Sequence, residues 1–121
     1  TGQVVLAQSA NITQASGATT IVIPANSQIL EITVFVTTVW DGAAATFGVG
    51  TTALATKFTA AAAATGGTVG IVSITPSTDA TRTAAFIDVG TADAKIVVTS
   101  ANTGAGVGVI TVRYVQNLNL L

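Results

Sequence analysis

Few side chains in this sequence can do acid–base, nucleophilic or metal chemistry: the acids Glu31, Asp41, Asp79, Asp88 and Asp93, the bases Lys57, Arg82, Lys95 and Arg113, and no histidine or cysteine. Hydrolysis by paired carboxylates needs two acids facing each other across a cleft, and nothing in this spacing brings two together. Asp41 precedes Gly42 and Asp79 follows Pro76-Ser77-Thr78, positions where an Asp side chain usually bonds its own backbone. Without His no imidazole activates a Ser, and without Cys there is no thiolate nucleophile, thiolate zinc site or disulfide. These residues point to a protein that is not an enzyme and takes no cofactor or metal.

The remaining motifs read as structure. Asp88-Val89-Gly90-Thr91-Ala92-Asp93 loosely resembles a calcium loop but lacks its dense carboxylates and terminal bidentate Glu. Gly104-Ala105-Gly106-Val107-Gly108 and Gly48-Val49-Gly50 open no helix, and Phe58 rather than Ser or Thr follows Lys57, so they are hairpins or bulges rather than phosphate cradles. Asn11-Ile12-Thr13 is a formal glycosylation sequon of the kind a Thr-rich chain produces by chance.

Binding residues stand out more than catalytic ones. Trp40, the single tryptophan, sits just before Asp41-Gly42. Exposed beside Asp41 it would stack on a sugar or anchor an interface; buried it would close the end of a core, where Trp is more often found. The uncharged N-terminal arm, residues 1–11, is apolar at Val4, Val5 and Leu6, and the C-terminal tail, residues 117–121, carries Leu118, Leu120 and Leu121. Apolar chain ends call for a cover, and an uncharged terminal strand suits pairing with another subunit. These six residues are the candidate partner and oligomer contacts.

The elements that must position these residues are strands. β-Branched runs cover Gln3 to Ala7, Thr19 to Ile23, Ile29 to Val39, Ala45 to Val49, Thr68 to Thr75, Ala84 to Val89, Lys95 to Thr99 and Gly106 to Val115. Turn residues separate them, as in Pro24-Ala25-Asn26-Ser27 and Pro76-Ser77-Thr78-Asp79. About eight strands spaced this way predict an all-β, jelly-roll-like β-sandwich. In the longest run Leu30, Ile32, Val34 and Val36 are expected to face the core, opposite Glu31, Thr33 and Thr37. Phe35 and Val39 interrupt the polar side, which predicts that a loop or another subunit covers that side too. At most one short helix is expected, over Ala53 to Ala64, where Leu54, Phe58 and the Ala run recur at helical spacing; a loop is the other reading of that segment.

With 121 residues the chain is long enough for one core, so residues 1–121 are expected to form a single domain. Only 7% of residues are charged, the net charge is -1 and the mean hydropathy is +0.71. Soluble domains carry about 25% charged residues, so much of this surface is expected to meet another chain. Four scattered bases cannot track a phosphate backbone, which excludes nucleic acid. Phe58 to Pro76 is uncharged but made of Ala, Gly, Thr and Ser, too weakly apolar to span a membrane. The N-terminal residues do not resemble a signal peptide, and the absence of Met leads us to expect that an initiator Met has been removed.

Three segments together resemble small virion proteins of tailed bacteriophages: the turn Ile23-Pro24-Ala25-Asn26-Ser27, the strand Ile32 to Gly42, and the short strand Phe47-Gly48-Val49-Gly50. Asp88-Val89-Gly90-Thr91, Gly104-Ala105-Gly106 and Ile110 to Tyr114 look like the closing hairpin of such domains. The resemblance covers most of the chain. It implies a β-sandwich or jelly roll on the phage head that acts as a capsid decoration (cement) protein. The partners it implies are other copies of the chain, as a homotrimer, and the major capsid protein, with the virion as location. The other implied role is a carbohydrate- or receptor-binding module of a head fibre or tail, with Trp40 and Asp41 as its contacts.

Overall fold

β-Branched residues favour extended backbone, and eight strands form in the computed structural model, which describes residues 4–60 and 64–116. They are β1 (Val5–Thr13), β2 (Gly17–Ile23), β3 (Gln28–Thr38), β4 (Thr46–Thr51), β5 (Ala64–Thr65), β6 (Gly70–Ile74), β7 (Ala94–Ser100) and β8 (Val107–Val115), with a helix, α1 (Ala80–Ile87), between β6 and β7. Two four-stranded antiparallel sheets result, ordered β1-β8-β3-β6 and β2-β7-β4-β5. The pairs β1–β8, β2–β7, β3–β6 and β4–β5 are nested, as if one long hairpin had been wrapped on itself. The expected all-β, jelly-roll-like sandwich is thus the fold observed.

Between the sheets, the inward side chains form one core. Ile12, Ile32, Val34, Val36, Ile110 and Val112 from the first sheet meet Ile21, Ile23, Phe47, Val49, Ile96 and Val98 from the second. Removing each such side chain from water contributes about 1.5–3 kcal/mol. A bulge changes the expected pattern in β3: Ile29 pairs with Tyr114 and Glu31 with Arg113, leaving Leu30 as the extra residue. Ile29 is therefore buried, and Leu30, expected in the core, is 43% exposed.

The short helix is present, at a different place. Ala53 to Ala60 forms turns, and the short β5 begins at Ala64. Phe58 anchors this segment in the core, Leu54 stays exposed, and the Phe58 and Thr59 amides both donate to the Val49 carbonyl, at 3.2 and 3.1 Å. The turn runs so close over β4 that a Cβ on Gly50 would lie 2.2 Å from the Ala55 carbonyl oxygen. The run Ala84 to Val89, expected as a strand, instead supplies the second half of α1 and its exit. Asp79 caps that helix by accepting from the Arg82 amide at 2.9 Å, while Phe86 packs edge-on against Phe58 at 5.6 Å between ring centres.

Residues 5–11 are not a free arm either, since they belong to β1 and pair with β8 from Val5 opposite Val115 onward. The Gln8 side chain joins this edge to the second sheet. Its amide donates to the Val22 carbonyl at 2.7 Å and accepts from the Val22 amide at 3.1 Å. Val22 lies on β2, the edge strand of its sheet, so the side chain takes the place of a neighbouring strand. Phe58 to Pro76 contains turns and two strands, and among the described residues no helix is long and apolar enough to cross a membrane.

Candidate assembly surface

Alternation in β1, β8, β3 and β6 sends half of their side chains outward from the first sheet, and the register sorts these into rows. Ser9, Thr111, Thr33 and Ser73 stand side by side across the four strands, with the Ser9 and Thr111 hydroxyls 2.8 Å apart. One row away, Glu31 and Arg113 are opposite each other, with 3.6 Å between their charged atoms. On the other side of the hydroxyl row lie Asn11, Val109, Phe35 and Ile71. Phe35 is 47% and Ile71 67% exposed, so three adjacent strands present an apolar strip to solvent. The sequence pointed to Phe35 as an interruption of a polar face. Val109 and Ile71 join it only through pairing between distant segments.

The second sheet is different, because the chain between β4 and β5 lies over β4 and leaves all but the first of that strand's residues buried. Among the described residues no element lies over the Phe35 strip.

Of the predicted contact residues, Val4 is 74%, Val5 48% and Leu6 37% exposed, at the start of the edge strand β1. Leu118, Leu120 and Leu121 lie outside the described residues.

Trp40 is only 2% exposed, so of the two readings of this residue the buried one, closing the end of the core, is the arrangement observed. Its ring centre lies 4.7 Å from that of Phe47, and Gly106 backs it so closely that a Cβ there would fall 2.2 Å from Trp40 Cδ1. Next to it the fully buried Gln14 ties three loops together. Its Oε1 accepts from the Asp41 amide at 2.9 Å and the Gly106 amide at 3.2 Å, and its Nε2 donates to the Asp41 carbonyl. The Asp41 carboxylate accepts from the Ala105 amide at 3.1 Å. This end of the sandwich is a closed hydrogen-bonded plug.

Two other acids also hold backbone: Asp88 accepts from the Gly90 amide and Asp93 from the Ala25 amide, each at 2.9 Å. No cluster of three or more metal-ligating side chains occurs among the described residues. A groove of about 650 Å³ runs past Thr59, Thr75, Ser77 and Asp79, and its cation, Arg82, is paired with Asp79 at 3.2 Å.

No family model matches the sequence, and no curated protein matches it. Solved structures do match the fold. A chain of the cyanophage Pam1 capsid asymmetric unit superposes with a TM-score of 0.63 at 18% identity, covering 94% of this chain and 86% of that one. A chain of the acid-stable capsid of Helicobacter pylori bacteriophage KHP30 gives a TM-score of 0.55 at 15% identity, covering 93% and 87%. Coverage this even on both sides makes each matched chain only slightly longer than this one.

Proposed function

We propose that this chain is a structural protein of a phage virion, a capsid decoration (cement) protein that assembles with its own copies and stabilises the head shell. The observation that carries this reading is the fold: a small jelly-roll-like sandwich whose solved likenesses include chains of two phage capsids, each little longer than this one. The weakly charged surface and the exposed strip on the first sheet support association as the mode of action. In this reading the oligomer is a homotrimer, the shell partner is the major capsid protein, and Val4, Val5 and Leu6 take part in its contacts. A protein that binds only the assembled shell stabilises it by mass action, and many copies add their effects through multivalency.

The test is to mix the purified chain with head shells of its phage from which it has been removed, then count bound copies and measure shell melting. Saturable binding with a raised melting temperature is the expected result. Shells that neither bind the chain nor change in stability would overturn the assignment.

A further inference from the structure

We infer that the outer face of the β1-β8-β3-β6 sheet, centred on Phe35, seats a second copy of this chain. This deepens the self-assembly part of the proposed function and rests on it. The argument begins with the strip of Val109, Phe35 and Ile71, which adjacent strands hold at fixed spacing, so it is already ordered for docking. Along β6 the strip reaches a sheet edge bare of charge: no charged residue occurs between Lys57 and Asp79. Natural edges are commonly protected by Lys, Pro or a bulge, and β6 has none of these.

Charge selects the occupant. Glu31 and Arg113 are the charged residues on the described face, and they neutralise each other. An identical face therefore meets no net repulsion, and it brings the same pair for cross-pairing and the same apolar strip; two such faces meet about a twofold axis, so this contact joins two copies in addition to the contacts within a trimer. Size agrees. Four strands at about 4.8 Å spacing and about 28 Å of mean strand length give about 540 Å² in plan, before side-chain relief is counted. Stable interfaces bury about 800 Å² per partner, of which the face supplies about two-thirds in plan, the relief of Phe35 and Ile71 and the β6 edge adding to it. That area is roughly one-eighth of the 6176 Å² surface of the chain.

The experiment is light scattering across a dilution series on the intact chain, on Phe35→Glu and Ile71→Lys, and on Leu54→Lys as a control at an exposed apolar site elsewhere. Trp40 emission checks that each variant is folded. An oligomer for the wild type and Leu54→Lys, with a shift of at least tenfold towards a smaller assembly in both face variants, is the expected result. Folded face variants that keep the wild-type mass, or a wild type that stays monomeric at every concentration, would overturn the inference. Shell binding is read separately, so loss of self-association and failure of the decoration role are distinguishable.

Discussion

Gln8 binds Val22 as a neighbouring strand would, with one side-chain amide meeting both the backbone N–H and the C=O of a residue in the opposite sheet. The same Nε2 also donates to the Tyr114 hydroxyl at 2.9 Å, so Gln8 links β1, β8 and β2. Gln8→Ala is expected to lower stability by about 1–3 kcal/mol, because it leaves two backbone groups of Val22 to water. Urea unfolding measures the loss, and faster amide exchange confined to β2 would locate it. An unchanged midpoint would mean that the amide is not holding the two sheets together.

Trp40 fills the closed end of the sandwich. Its emission should be blue-shifted and resist quenching by iodide, and Trp40→Ala should cost about 3–5 kcal/mol. Trp40→Phe should be milder, because the buried Nε1 has no acceptor among the described residues and its removal leaves no broken hydrogen bond. Glycan arrays with the folded Trp40→Phe protein should match the wild type; a loss of sugar binding there would restore Trp40 as a contact.

Asp79 holds the first turn of α1 by its cap and also pairs with Arg82. Asp79→Ala is expected to lose about 1 kcal/mol through the cap, the half-exposed ion pair adding little. Thermal melts at low and high salt separate the two: a loss that is the same at both belongs to the cap.

Val4 is the most exposed large apolar residue of the described chain and precedes the first strand pair. Val4→Asp should leave the melting temperature within about 2 °C of wild type, as a surface change away from caps and core does. Its affinity for head shells should fall by at least tenfold. Equal affinity would remove the start of β1 from the shell contact.

How far the sequence disclosed this molecule depends on the reach of each signal. The alternation over Ile32 to Val36 is local and predicts the buried face of β3 correctly. Two residues earlier it fails, because the bulge at Leu30 is set by pairing with β8, a segment about eighty positions away in the sequence. Ala53 to Ala60 has helical propensity, yet Phe58 gains more by reaching the core beneath a tight turn over β4. Ala84 to Val89 has strand-forming residues at its end, but the Asp79 cap and the burial of Phe86 make most of it helical. Asp79 was legible as a backbone cap, though not as the start of a helix. The assembly surface was half visible: Phe35 breaks a pattern in its own strand, whereas Ile71 and Val109 become its neighbours only once three separate segments have paired.

The nested pairing also governs how the chain must find its structure. Val5 pairs with Val115, so the outermost ladder closes a loop of nearly the whole chain, while the innermost pair, β4 with β5, has only two residue partners to nucleate on. Among the described residues no strong local hairpin exists from which pairing could spread, and the entropy of closing long loops falls due before most contacts form. Folding should therefore be slow for a domain this small, in the range of milliseconds to seconds. During that interval the uncharged β6 segment is available to other chains, so the yield of folded protein should fall as concentration rises during refolding.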